Sequence, residues 1–380
     1  MLTEADEVEG VLQTILQDCR VLNFPGGRLY HGIVKPGFED SLPDIRRWFE
    51  KRPGTLLAER ANGRIVLTYQ LTVEKRVNLA LHLGLVAGAV ITLLVAGAFP
   101  PDVGIRPLDG YRSLFAGIVA FLRGNDAALV EFLRRVLTDG VPFCFGMLAI
   151  LAAHEGGHYV ASRRYGMSCS LPYFIPSPMW PGTFGAVIRL RTPMLHRRAL
   201  IDVGAAGPLA GIAATVPILL YGIHTSKLVP AGTSGIAVGS PILMDVLIKL
   251  VHGTIPPGFA LDLSPLAVAG WFGLLITSLN LLPVGQLDGG HVLYALVGRA
   301  QGCVGWAFVA LVSYLALFVW PGWIVWLMLM LFLIRVKHPR LVDEEIELSP
   351  GRVVIGVVCI VVFLLSFMPL PIAVIERAGV

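Results

Sequence analysis

Val141-Pro-Phe-Cys-Phe-Gly-Met-Leu-Ala-Ile-Leu-Ala-Ala-His-Glu-Gly-Gly-His158 opens with thirteen apolar residues and then presents two imidazoles and a carboxylate within five positions. An apolar run of this kind reads as membrane-buried helix, and ionisable groups inside one are costly enough to be functional by default. Residues four apart lie one turn above each other on an α-helix. His154 and His158 therefore offer two nitrogens to one zinc ion, with Glu155 flanking the attacking water, which is the chemistry of a metalloprotease. In a soluble chain the same five letters would also fit a surface helix with an incidental glutamate; the apolar run upstream argues against that here.

Composition widens this reading to the whole chain. Of 380 residues, 55% are hydrophobic and 15% charged, against about 25% charged in an ordinary soluble domain, and the mean hydropathy is +0.72. These values describe a polytopic membrane protein. The formal net charge of +4 is small, and the arginines stand beside apolar segments, where they act as orientation signals, so a nucleic-acid partner is excluded and the lipid bilayer is the expected one. Cys19, Cys144, Cys169, Cys303 and Cys359 are scattered and form no CxxC pair, which indicates neither a disulfide framework nor a thiolate zinc site. The first long apolar run begins near Val77, and no signal peptide is expected.

Residues 1–76 have a different texture and are expected to form a small cytoplasmic α+β domain. Leu12, Ile15 and Leu16 recur at helical spacing, and Ser41-Leu-Pro-Asp44 reads as a helix start. Thr55 to Glu59 and Arg64 to Thr72 flank Asn62-Gly63, a hairpin dipeptide. Residues 77–380 are expected to form an all-α transmembrane part with its core at 140–300. Apolar runs fall at about 77–100, 141–162, 200–223, 266–283 continuing through a polar interruption to about 298, 303–320, 323–334 and 352–373, which predicts six or seven crossings. The segment 113–122 is too short to span and is expected to be interfacial or re-entrant. Trp306, Trp320, Trp323 and Trp326 read as interface anchors. Arg60, Arg64, Lys75 and Arg76, the six arginines between Arg163 and Arg198, and Arg335, Lys337 and Arg340 mark three loops on the inside. A multi-pass protein of the bacterial plasma membrane, with its amino-terminal domain in the cytoplasm, is the expected setting.

A catalytic zinc needs three protein ligands and an open position. Asp288, in Asn280-Leu-Leu-Pro-Val-Gly-Gln-Leu-Asp-Gly-Gly-His291, is the only carboxylate between Asp262 and Asp343 and sits in an apolar segment. Left unpaired at the centre of a membrane helix it would cost about 2.5–3.5 kcal/mol, which coordination to a dication removes. Depth agrees. His154 lies nine residues before Arg163 and Asp288 eleven before Arg299, or about 14 and 16 Å from one surface at the helical rise. Asp288 also fits a turn before Gly289-Gly290, and His291 is a competing ligand equally explained as a hydrogen-bond partner.

These motifs resemble those of the site-2 protease family of intramembrane zinc metallopeptidases. His154 to His158 match its HExxH motif; Asn280, Pro283, Leu287, Asp288 and Gly289 match NxxPxxxxLDG; Gly182-Thr-Phe-Gly-Ala-Val-Ile188 and Gly207-Pro-Leu-Ala-Gly211 are also similar. The resemblance implies one catalytic Zn2+ held by His154, His158 and Asp288, Glu155 as base, Asn280 close to the substrate, and a transmembrane protein or peptide as that substrate. Many relatives carry a PDZ module between the metal motifs. Residues 224–264 are too few for one, which points to the PDZ-lacking bacterial and plastid branch.

Leu171 to Pro181 is apolar and proline-broken, and Gly182 to Leu190 is β-prone. This stretch cannot be a spanning helix; a re-entrant loop and hairpin whose free edge pairs with unwound substrate is expected. Gly204, Gly207 and Gly211 read as a helix-packing stripe. Two rivals remain at this stage: a membrane metal transporter, and a non-catalytic scaffold descended from a protease.

Overall fold

A computed structural model describes residues 2–24, 27–61, 63–72, 77–100, 126–231, 235–344 and 346–375, with scattered positions between 112 and 124. Half of the segment expected at 113–122 lies outside the described residues.

Helix α1 (Leu2–Ile15) runs directly into strand β1 (Leu16–Phe24), followed by β2 (Gly27–Val34), α2 (Leu42–Glu50), β3 (Thr55–Ala61) and β4 (Arg64–Thr72). Leu16, expected on the helix, opens the strand instead. It still joins Leu12 and Ile15 in one core with Tyr30, Phe49, Leu67 and Tyr69, so the apolar spacing is satisfied on either side of the helix end. The strands form an antiparallel sheet in the order β1-β2-β4-β3. Ser41 is the N-cap of α2. Ala61 pairs with Arg64, and Gly63 takes φ +75°, the left-handed backbone that a two-residue hairpin turn demands.

The apolar part comprises α3 (Leu79–Ala98), α4 (Asp126–Arg135), α5 (Val141–Arg164), α6 (Arg197–His224), α7 (Ile242–His252), α8 (Pro265–Asn280), α9 (Asp288–Val297), α10 (Gln301–Phe318), α11 (Trp323–Met328) and α12 (Pro350–Ser366). Among the described residues four helical stretches are long and apolar enough to cross a bilayer, Leu79–Ala98, Leu129–Arg164, Arg197–His224 and Asp288–Phe318. Pro265–Asn280, Trp323–Ile334 and Pro350–Ser366 are apolar but shorter. Helix length among the described residues thus supports four of the expected six or seven crossings. Two of the sequence runs end early for local reasons. Residues 281–287 interrupt the run from 266 to 298 with a non-helical turn, and Met368-Pro-Leu-Pro371 stops α12, after which the chain returns as strand β10 (Ile372–Ile375).

Helices α5, α6 and α8 pack as the centre, around Phe143, Met147, Leu219, Trp271 and Leu274. Gly146 meets Ala269, Gly222 meets the backbone of Ala267, and Gly270 and Gly273 lie against Leu219 and Thr215. Small residues allow this approach where lipid is as apolar as the side chains it would replace. Trp306 is 50% exposed, but Trp323 is 1% exposed. Its indole N–H donates to the Pro369 carbonyl at 2.8 Å, which makes it a core residue that joins α11 to the turn after α12.

Helix α12 is tied to the arginine-rich end of the centre. Arg352 bonds both oxygens of Asp202 on α6 at 2.8–3.1 Å, and the Tyr165 hydroxyl donates to Asp202 at 2.5 Å. Burial, and then this hydrogen bond, push the Tyr165 hydroxyl well above its ordinary pKa.

Between α5 and α6 the chain forms the antiparallel hairpin β5 (Tyr173–Pro176) and β6 (Thr183–Val187), with Tyr173 opposite Val187 and Pro176 opposite Thr183. It is braced along α3. The Tyr173 and His82 rings lie 4.2 Å apart, Pro176 rests on Gly88, and Thr92 donates to the Gly182 carbonyl at 2.6 Å. Gly182, at φ +92°, also sits where a Cβ would strike the Thr92 carbonyl. After α6, β7 (Lys227–Pro230) pairs with β9 (Phe259–Asp262), and β8 (Gly235–Val238) with β10.

Candidate metal centre

His154 and His158 stand one turn apart on α5 and are 4% and 8% exposed. Asp288 is the first residue of α9, brought up to them by the turn 281–287. That turn is compact because Gly289 and Gly290 lie against the carbonyls of Leu281 and Gly285, where no Cβ fits. Asp288 is far from the two histidines in sequence, yet His158 Nε2 is 3.2 Å and His154 Nε2 3.4 Å from the same Asp288 oxygen. The two Nε2 atoms are 3.2 Å from each other.

These separations carry chemical content. Ligand atoms about 2.0–2.1 Å from a tetrahedral zinc stand about 3.3–3.4 Å apart, which is the spacing found. The tautomers agree. His158 Nδ1 lies 2.8 Å from the Val203 carbonyl, which can only accept, so Nδ1 carries a proton and Nε2 is the atom that faces the Asp288 carboxylate. Two electron-rich atoms at that distance need a cation between them. A proton bridges one pair of atoms, whereas a metal ion binds all three, and His154, His158 and Asp288 form the metal-competent group among the described residues.

Glu155, 6% exposed, points to the hairpin side, where its Oε2 accepts from the backbone N–H of Ile188 at 2.8 Å. Asn280, the last residue of α8, places its side-chain amide 3.2 Å from His154 Nε2. His291 does not join the three. Its Nδ1 faces His338 Nε2 at 2.8 Å, and the main chain of His338 is held by Gln301 through an N–H to Oε1 bond of 3.0 Å. His338 was legible only as part of a basic loop; nothing in its spacing points to a partner 47 residues away.

The glycine stripe of α6 has a more specific part than packing. A Cβ on Gly207 would overlap the Nε2 edge of the His158 ring, one on Gly211 would press on His154 Nδ1 at 3.1 Å, and one on Gly204 would meet His291 Cβ at 2.9 Å. These positions leave the volume that the imidazoles occupy. Gly207→Ala is accordingly expected to weaken zinc binding by about 10- to 100-fold, the range for lost support around a metal ligand, measured by competition with a chromogenic chelator; unchanged affinity would show that the ring can retreat.

Residues 142–319 match the model of Peptidase family M50. The chain is 31% identical over 278 residues to a probable zinc metalloprotease, EGY2, chloroplastic, from Arabidopsis thaliana, an alignment that covers 70% of this chain and 49% of that protein. It is 34% identical over 244 residues to the EGY2 of Oryza sativa subsp. indica, covering 62% and 44%, and 32% identical over 176 residues to Arabidopsis EGY1, covering 45% and 32%. The chain thus spans about half the length, or less, of these relatives. The long apolar helices support a membrane protein, and the relatives are named chloroplastic, which does not support the expected bacterial plasma membrane. No solved structure matches the chain. The metal-competent residues His154, His158 and Asp288 all lie within the segment that matches Peptidase family M50, and the relatives similar to this chain are named as probable zinc metalloproteases.

Proposed function

We propose that this protein is an intramembrane zinc endopeptidase that hydrolyses peptide bonds within or near transmembrane segments of membrane-protein substrates, in the manner of regulated intramembrane proteolysis. The observation that carries the reading is the convergence of His154 Nε2, His158 Nε2 and Asp288 Oδ2 at 3.2–3.4 Å, on helices apolar enough to cross a bilayer. These three residues would hold the zinc ion. Zinc, when bound there, supplies Lewis acidity that makes water a competent nucleophile near neutral pH.

Every other step belongs to the chain itself. Glu155 takes the proton of the attacking water and later hands it to the leaving amine. Its carboxylate is aimed by the Ile188 N–H, which occupies Oε2 and leaves Oε1 to work. Asn280 orients the scissile carbonyl with its side-chain amide. A helical substrate must be unwound before a peptide bond can be attacked, and β6 belongs to a two-stranded sheet with Phe184 and Val187 exposed. Its outer edge accepts the unwound segment as a third strand. The hairpin lies beside the middle of α3, which supports the re-entrant reading. Water enters from the arginine-rich end, the nearer surface by helical rise; the cavity of about 760 Å³ at that end is lined by Gly156, Gly157, Arg164, Ala206 and Arg352 and lies beside the metal-competent residues without including them. The short β7-to-β9 region in place of a larger module supports assignment to the PDZ-lacking branch.

The test is a comparison of membrane proteomes from cells carrying the wild-type chain or Glu155→Gln. Membrane-protein fragments ending in or near a transmembrane segment are expected with the wild type alone. Identical fragment sets would remove the proposal.

A further inference from the structure

We propose that the amino-terminal sheet is a positioning element for Glu155, acting through Gln70 and Thr192. The inference rests on the reading of Glu155 as the base. The strand end that donates to Glu155 continues, past Ile188, into residues 189–192. These pair with residues 168–170 in a short ladder: Ser170 N–H to the Arg189 carbonyl at 3.0 Å, Arg191 N–H to the Ser168 carbonyl at 2.9 Å, and Arg189 N–H to Ser170 Oγ at 2.9 Å. Glu155 sits at one end of that ladder. At the other end is the Thr192 hydroxyl, which accepts from the Ser168 N–H at 3.1 Å and from the side-chain amide of Gln70, on β4, at 2.6 Å.

Gln70, Thr192 and Ser170 are 3%, 4% and 4% exposed. Bulk water is thus kept from the bond, and the register of residues 188–192 leans on the sheet. The sheet is fixed independently on either side of this contact. Glu59 lies 3.7 Å from His196, Arg198 donates to the Arg60 carbonyl at 3.2 Å, His31 lies 3.3 Å from Asp343, and Arg20 donates to the Val342 carbonyl at 2.7 Å. Removing the Gln70–Thr192 bond thus leaves the sheet docked and loosens only what it holds. Displacement of the whole sheet by a partner would act on the same ladder.

The experiment uses the full chain in detergent with a transmembrane substrate, and compares Gln70→Ala, Thr192→Val and Thr192→Ser with the wild type. Hydrogen exchange in the peptide covering 186–192, kcat and KM, and zinc per chain are measured together. Gln70→Ala and Thr192→Val are expected to speed exchange there by about 10-fold and to lower kcat by about 10-fold through misplacement of the base, with KM and zinc unchanged. Thr192→Ser, which keeps the hydroxyl, is expected to restore both. Unchanged exchange, or faster exchange with unchanged kcat, overturns the proposal. Equal cleavage by wild type and Glu155→Gln would overturn the peptidase reading itself, and it is told apart because the exchange difference would persist.

Discussion

Purified with Gln in place of Glu155, the protein is expected to lose cleavage of a transmembrane substrate by about 10²- to 10⁴-fold, the usual contribution of a positioned base, while keeping one zinc per chain. Glutamine preserves the size of the side chain, and its amide oxygen still accepts from the Ile188 N–H that meets Glu155 Oε2 at 2.8 Å. The hairpin end therefore stays in place, and His154 and His158, one residue before and three after, keep their mutual distance. Only the capacity to take a proton is removed. Zinc content by elemental analysis and cleavage on the same sample separate the alternatives. A metal transporter would retain part of its function with this substitution, and activity within a few-fold of wild type would rule out Glu155 as the base.

Asp288→Ala is expected to reduce zinc to the background of a chelator-treated sample, a larger loss than the 10- to 100-fold typical when an outer partner of a ligand is removed. Both imidazoles approach the same Asp288 oxygen, at 3.2 and 3.4 Å, so it is the one atom that closes the group from the far side. Two histidines alone leave a catalytic zinc a ligand short. His291→Ala is the paired control. Its ring is turned to His338 at 2.8 Å, and zinc should survive its loss. Zinc retained in Asp288→Ala and lost in His291→Ala would exchange the two assignments.

Both predictions use residues that local chemistry made visible before any coordinates. The spacing of His154 and His158 follows from the helical repeat, and Asp288 stood out as a lone carboxylate in an apolar run whose depth matched theirs. Composition announced the membrane, and Asn62-Gly63 announced a hairpin. Helix length was less legible, because an apolar run does not reveal where the chain stops being helical: the 266–298 run breaks at 281–287, and the 352–373 run ends at Ser366.

What the amino-acid sequence determined by itself is the set of groups able to hold a metal and the kind of solvent around them, since helical periodicity, turn chemistry and hydropathy act over a few residues. What only the tertiary structure decided is how those groups are held. The bond from His158 to the Val203 carbonyl joins residues 45 apart, that from Ile188 to Glu155 residues 33 apart, and that from Gln70 to Thr192 residues 122 apart. A backbone carbonyl or N–H looks the same at every position of a sequence. Which one meets an imidazole, or which glycine leaves room for it as Gly207 does, is settled by the packing of whole helices against one another.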